Sequence, residues 1–340
     1  MASNSWIRLL PGFGSVSTHR SQKGLYGTLK LATASPFNCT FVLMVAICVL
    51  TFVVSQSTGN FSCMGRILPI ACIMHAWIIA YYAIGSNKRA MHRPYVNVAT
   101  VYASFITFWG LRLVYNAYRR GGYIYGGKNF PWGYVRTGSF LRNRVSRMLF
   151  NLVFVCIFQS ALIWAITLPM LSFPADALSQ RDCIFLGFLL LLLIFETVCD
   201  QQQWNFHNAK RRPGNKTGGE NSPPSYGFCM TGVFGYSRHL NLFCEIFIWF
   251  TLALAAAQNR RRSRVSWHWW QGVGCVIQAV VISLSTRLTT ERLSLKKYPQ
   301  YALYQSTTPI LVPALKSTTA QTRYLIEKTS PRGTFNMKKQ

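Results

Sequence analysis

The sequence predicts an all-α integral membrane protein with about seven transmembrane helices. Half of its 340 residues are hydrophobic and only 13% are charged, and long apolar runs recur along the chain, as in polytopic membrane proteins. Lys and Arg concentrate in the loops between these runs, where the cytosolic flanks of membrane proteins carry them. Together these observations indicate a bundle of membrane-spanning helices.

Seven apolar segments fit transmembrane helices, for which about 20 residues are needed. The fifth and the last two are short, so they either extend into neighbouring polar residues or form a half-membrane hairpin. In chain order the predicted spans are Phe37–Ser55, Ile67–Ile84, Val96–Tyr115, Met148–Leu171, Ile184–Val198, Asn241–Ala257 and Trp270–Ser285.

We interpret the chain as one membrane domain in two halves, flanked by basic ends. Residues 1–36 form a basic N-terminal segment, and residues 316–340 form a basic tail that we expect to be flexible. The N-terminal half, 37–147, holds three spans and a glycine-rich loop. The C-terminal half, 148–315, holds four spans and most of the unusual ionisable residues.

The strong positive charge of the chain favours membrane flanks over a nucleic-acid partner. There are 36 Lys and Arg against 8 Asp and Glu, a formal net charge of +28. The loops on the same side as the C-terminus carry more basic residues than the opposite loops, so the positive-inside rule places the C-terminus in the cytosol. The ten cysteines show no CxxC spacing, and we predict neither a disulfide framework nor a metal site.

Half of the few acidic residues lie within or at the rim of apolar segments. No acid precedes Asp176, and four of the eight are Glu196, Asp200, Glu245 and Glu291. An ionised carboxylate in a bilayer is costly unless it is paired or lines a wet cavity. These four positions are therefore candidates for a functional site.

The first candidate group ends the fifth span. Glu196 and Asp200 are four residues apart and share one helix face, and Gln202 follows them. Two carboxylates on one face either bind an amide, a ribose or a protonated group of a ligand, or pair with a neighbouring helix, for instance with Arg238.

The second candidate group is a polar stripe at the start of the sixth span. Arg238, Asn241 and Glu245 recur at helical spacing. The planar guanidinium of Arg238 suits a phosphate, and His239 suits a phosphate donor or a proton relay. The alternatives are an arginine that reaches lipid headgroups and an interfacial histidine.

The third group follows the last span, where residues 286–309 predict an amphipathic cytosolic helix. It begins near Glu291, and Tyr301 and Tyr304 share a face. That face either packs over a flat ring system or anchors the helix at the membrane surface.

A fourth stripe closes the third span. Arg112, Tyr115, Asn116 and Arg119 lie on one helix face. They either meet a phosphate or a substrate carbonyl, or act as a positive stop signal for the span.

Taken in order, these motifs resemble the steroid 5α-reductase-like family of membrane enzymes over residues 95–315. The C-terminal signature of that family is similar to Glu-x-x-x-Asp-Gln-Gln at 196–202, Tyr-Ser-Arg-His-x-Asn at 236–241 with Glu245, and Glu291 followed by Tyr301-x-x-Tyr304. The preceding segment is similar to Arg-Leu-x-Tyr-Asn at 112–116 with Trp132 and Arg136.

The resemblance implies an enzyme that holds NADPH from the cytosolic side and reduces a carbon–carbon double bond of a lipid or sterol-like enone. The N-terminal half would supply the substrate-side helices, with Tyr115 or Tyr123 polarising the enone oxygen. Membrane lipids would surround the protein, in the endoplasmic reticulum or alternatively in a mitochondrial membrane. The cofactor pocket would be lined by Glu196, Asp200, Gln202, Arg238, His239, Asn241, Glu245, Glu291, Tyr301 and Tyr304.

Several residues depart from the pattern of the family. Leu240 and Leu242 replace its usual proline and tyrosine, and the N-terminal half has no acid to form a Glu–Tyr donor pair. Two alternatives remain open. One is an isoprenylcysteine-type methyltransferase that binds S-adenosylmethionine, and the other is a non-catalytic, lipid-binding member of the fold.

Overall fold

The structure is a computed structural model that describes residues 35–87, 96–123, 143–211, 226–263, 265 and 267–329. Within these residues the chain is helical and contains no β-strand. Seven helical segments are long and apolar enough to cross a membrane. The predicted all-α membrane architecture and its seven spans are confirmed.

Nine helices organise the described part of the chain. They are α1 (Pro36–Thr58), α2 (Cys63–Gly85), α3 (Val98–Arg119), α4 (Arg144–Ser172, which includes π-helical and 3-10 turns), α5 (Gln180–Arg211), α6 (Leu240–Gln258), α7 (Trp269–Lys297, which includes 3-10 and π-helical turns), α8 (Tyr301–Thr307) and α9 (Thr319–Thr329).

The three spans that looked short extend into polar residues and form no half-membrane hairpin. The fifth runs over Gln180–Arg211, the sixth over Leu240–Arg261 and the seventh over Trp269–Lys297. The apolar run in α5 ends at Glu196 and Asp200, but the helix continues because both side chains are buried within the protein.

The outward faces of the spans carry large apolar side chains. Val49 and Val53 on α1 and Ile184 on α5 are all more than half exposed. Such surface is unfavourable in water and stable against acyl chains. The protein is therefore an integral membrane protein in contact with membrane lipids.

The chain groups into two compact units. The first lies within residues 1–190 and 249–279, and the second within 191–248 and 280–340. The boundaries differ from the two predicted halves because α5, α6 and α7 each contribute residues to both units.

A buried aspartate anchors the first unit. Asp182, fully buried in the first turn of α5, accepts hydrogen bonds from Ser179 and from Asn259 Nδ2 at 2.7 Å, and Arg262 Nη1 lies 2.8 Å away. These contacts join the start of α5 to the end of α6. Asp182 was not among the predicted site residues because it precedes the apolar run of its helix.

The segment that we expected to be a flexible tail contains α9. Thr322 and Ile326, one turn apart, are both buried within the second unit. Their burial stabilises a helix that the basic composition of this segment does not suggest. Residues 330–340 lie outside the described part of the chain.

Close packing between α4 and α7 in the first unit depends on Gly274. A Cβ atom at this position would lie 2.6 Å from the carbonyl oxygen of Ala165 and 2.7 Å from the nitrogen of Ile166. Backbone atoms cannot rotate away as a side chain can, so the two helices would have to separate.

Replacing Gly274 by Ala should therefore lower the free energy of unfolding by about 1–3 kcal/mol through overpacking. Thermal unfolding of the detergent-solubilised protein measures the effect. Gly187→Ala is the matched control, since a Cβ at Gly187 meets nothing within 4 Å and Ala favours a helix. Equal melting temperatures for the two variants would contradict the close approach.

Candidate functional site

The second unit has a core of aromatic side chains. Phe228 stacks on Tyr304 with ring centroids 5.5 Å apart and meets Tyr301 edge to face at 5.1 Å. Met230 and Ile326 complete this packing. The core fixes the segment before α6 against α8 and α9.

The predicted helix over 286–309 is broken. A helical segment ends at Lys297, Tyr298 is extended, and α8 begins at Tyr301. Pro299 explains the break, because proline lacks the N–H that a helix interior needs and disfavours helical geometry in the residue before it. After the break, Tyr301 reaches back to Glu291.

Glu291 is the centre of a buried polar group that we call the Glu291 cluster: Arg238, His239, Glu291, Tyr301 and Gln305. Arg238 Nε and Nη2 lie 3.2 and 2.8 Å from the two carboxylate oxygens. His239 Nε2 lies 2.7 Å from Oε1, the Tyr301 hydroxyl donates to Oε1 at 2.7 Å, and Gln305 Nε2 donates to Oε2 at 2.9 Å. Both carboxylate oxygens are thus satisfied by protein groups.

Arg238 also holds the chain that follows α8. Its Nη1 donates to the carbonyl of Gln305 at 2.9 Å and to the carbonyl of Thr308. Its backbone N–H donates to Pro309 at 2.9 Å. Protein acceptors therefore take four of the five N–H groups of the guanidinium, whose side chain is only 8% exposed.

A carboxylate partner of Arg238 is thus Glu291. The sequence also offers Arg238 as an ion-pair partner for Glu196 and Asp200, and that alternative stays a prediction. A role for Arg238 at a cofactor phosphate stays a prediction.

Glu196 and Asp200 are buried on one face of α5, with 4% and 8% of their surface exposed. Gln202, further along the helix, donates to the carbonyl of Thr231, and its Oε1 accepts from the N–H of Val233 at 3.1 Å. Gly232, at φ +58°, leaves room for that amide, because a Cβ there would lie 2.6 Å from Gln202 Oε1. Gln202 thus ties the segment before α6 to α5.

The first turns of α6 carry Asn241 and Glu245, four residues apart and on one face. Both are partly exposed. The Asn241 Oδ1 atom is buried and has no hydrogen-bond partner in the part of the chain that the structure describes. A buried acceptor without a donor is costly, so this atom is available to a ligand.

Tyr301 and Tyr304 are internal side chains. They are 4% and 2% exposed, and the Tyr304 hydroxyl donates to the carbonyl of Phe234 at 2.5 Å. Burial raises the pKa of both phenols, and the nearby Glu291 charge raises that of Tyr301 further. Both stay protonated at neutral pH, and the alternative of a membrane-surface anchor is wrong for both.

Gln305 is the member of the Glu291 cluster that was not predicted. It lies four residues after Tyr301 and therefore on the same face of α8. That spacing was visible in the sequence, but an uncharged glutamine in a polar segment gives no sign of burial.

The predicted donors Tyr115 and Tyr123 belong to the first unit. Tyr115 is 60% exposed on α3, with the Arg119 guanidinium 5.3 Å from its ring centre. The Tyr123 hydroxyl donates to the carbonyl of Arg66 at 3.1 Å. Trp132 and Arg136, which contributed to the resemblance, lie outside the described residues.

The Glu291→Gln substitution should lower the free energy of unfolding by about 3 kcal/mol or more, because it leaves the buried Arg238 without its counter-charge. Thermal unfolding in detergent measures the loss. Glu327→Gln is the matched control, as Glu327 is an exposed carboxylate of the same unit. If the two variants have the same melting temperature, the Glu291 cluster does not stabilise the unit.

Comparison with known proteins assigns the chain to a protein family. Residues 51–308, a range that contains the whole Glu291 cluster, match the family described as protein of unknown function DUF1295. An uncharacterized protein of Schizosaccharomyces pombe is 31% identical over 271 residues, which cover 74% of this chain and 72% of that protein. No solved structure matches the chain. The chain belongs to the DUF1295 family of proteins of unknown function.

Proposed function

We propose that this protein is a membrane reductase that uses NADPH to reduce a carbon–carbon double bond of a lipid or sterol-like enone. The observation that carries the proposal is the convergence of three separate motifs within the second unit. Gln202 bonds to the segment before α6, Arg238 and His239 bond to Glu291, and Glu291 bonds to Tyr301. Motifs that suggested one cofactor site in the sequence are thus part of one folded structure.

The residues of this unit fit a cofactor that carries amide and hydroxyl groups. No described residue donates to the buried Asn241 Oδ1, and a nicotinamide amide or a ribose hydroxyl would satisfy it. Glu196 and Asp200 are buried carboxylates on α5 in the same unit, and the resemblance assigns both to the cofactor pocket. The binding role therefore falls first to Asn241.

The Glu291 cluster has a positioning role in this proposal. Glu291 and two backbone carbonyls accept hydrogen bonds from most N–H groups of the Arg238 guanidinium. Arg238 thereby fixes the backbone around residues 305–310 against the start of α6. Rigid support of this kind holds binding groups in place before the ligand arrives.

When bound, NADPH would supply the hydride that adds to the β carbon of the enone. Negative charge then develops on the enone oxygen, and a hydrogen-bond donor there lowers the barrier. The resemblance gives Tyr115 or Tyr123 as that donor. Burial raises the pKa of Tyr123 although the Arg66 charge lowers it, so this phenol is protonated, and it would have to release the carbonyl of Arg66 to donate to a ligand.

NADPH at about 100 times its dissociation constant should stabilise the detergent-solubilised protein by about 2.7 kcal/mol. The Asn241→Leu variant should lose this stabilisation but unfold like the wild type without ligand, because no described residue donates a hydrogen bond to Asn241 Oδ1. Melting temperatures with and without NADPH measure both effects. An unchanged NADPH response in Asn241→Leu would remove Asn241 from the site.

Parallel measurements with NADH and S-adenosylmethionine separate the alternative functions. An increase in melting temperature with S-adenosylmethionine would support a methyltransferase in place of the reductase. A wild-type protein that responds to none of the three ligands would favour a non-catalytic, lipid-binding protein. Glu327→Gln, an exposed change in the same unit, is the control and should respond as the wild type does.

A further inference from the structure

The first unit encloses a cavity of about 450 Å³ at the end of the bundle where α1 begins and α2 ends. Much of its wall is apolar: Ile79 and Ala83 of α2, Leu171 of α4, and Phe173 and Pro174 just after α4. The volume falls in the range of small-molecule sites, which are mostly apolar with a few polar groups.

The polar side chains that line the same cavity include Asn87, Asp176 and Arg262. Asn87 Nδ2 donates to Asp176 Oδ1 at 3.0 Å. The Arg262 charge is balanced by Asp182, whose Oδ2 lies 2.8 Å from Arg262 Nη1. Asp176, by contrast, is exposed and has no cationic partner among the residues that the structure describes.

The placement of Asp176 is unusual for this chain. There are 36 basic residues and only 8 acids, yet Asp176 lines this cavity and Asp182 neutralises its arginine. Among the described residues that line the cavity, the one charge without a charged partner is therefore the negative charge of Asp176, although the chain as a whole is strongly positive. A negative group beside an apolar wall attracts cationic ligands and disfavours anionic ones.

We propose that this cavity binds a single-chain amphiphile with a protonated amine head. The ammonium group donates to the Asp176 carboxylate, a charge-assisted hydrogen bond, and the hydrocarbon tail packs against Ile79, Ala83, Leu171 and Phe173. A carboxylate or phosphate head group would instead be repelled by the negative charge of Asp176. Phosphatidylethanolamine carries an amine too, but its phosphate is negatively charged and would be repelled by the Asp176 carboxylate.

The test uses the full chain in phosphatidylcholine nanodiscs and three probes with the same ten-carbon tail: decylamine, decanol and decanoate. Primary amines of this kind are protonated at neutral pH, as lysine is. Decylamine should raise the melting temperature at the lowest concentration, with an apparent affinity about tenfold or more above that of decanol. Decanoate should bind most weakly.

Two variants locate the binding. Asp176→Asn keeps an oxygen for the Asn87 amide but removes the charge, and should weaken decylamine binding about tenfold or more while leaving decanol unchanged. Ala83→Phe fills the cavity and should abolish the decylamine response. Glu327→Gln removes one charge from an exposed site elsewhere and should bind decylamine as the wild type does.

The possible results decide the proposal. Equal responses to the three probes, an unchanged decylamine affinity in Asp176→Asn, or a full response in Ala83→Phe would each overturn it. Nanodiscs that contain phosphatidylethanolamine provide a further arm. If that lipid displaces decylamine, the cavity binds a phospholipid headgroup, and the proposal of a single-chain amphiphile is wrong.

Discussion

The second unit depends on the pairing of Glu291 with Arg238. Both side chains are almost completely buried, and each would be prohibitively costly to bury alone. The carboxylate, at the end of the seventh span, is satisfied only because both α8 and the segment before α6 bring donors to it. The guanidinium extends the same network to the carbonyls of Gln305 and Thr308. One ion pair thereby fixes the backbone of three elements that are distant in the sequence.

The first unit uses its scarce acids in a similar way. Asp182 is fully buried and joins the start of α5 to Asn259 and Arg262 after α6. The chain has 36 basic and only 8 acidic residues. The Asp182 carboxylate fixes the positions of Asn259 and Arg262. Asp176 differs, since an amide is its partner and its charge is available at the cavity.

Support and binding are separate tasks in the reductase that we propose. The Glu291 cluster supports the site, because its hydrogen bonds are made within the protein. A group that no described residue satisfies is the buried Asn241 Oδ1, and the resemblance adds the buried carboxylates on α5 to the binding groups. Arg238, which its chemistry marks as a phosphate ligand, is largely committed to the fold. This arrangement agrees equally with a protein that has kept the scaffold and lost the cofactor, which is why ligand response rather than fold decides the function.

The sequence by itself determined the membrane architecture and which polar residues matter. Apolar runs give the number of spans because a bilayer requires continuous hydrophobic length, and carboxylates near those runs stand out because burial is costly. Only the tertiary structure decided the partners. Helical spacing shows that Arg238 and Glu245 share a stripe, but not that Arg238 meets Glu291, 53 residues away. Likewise Asp182 and Gln305 look ordinary until distant segments bury them. Periodicity defines the faces of one helix, whereas the pairing of faces depends on packing between helices, which no local pattern encodes.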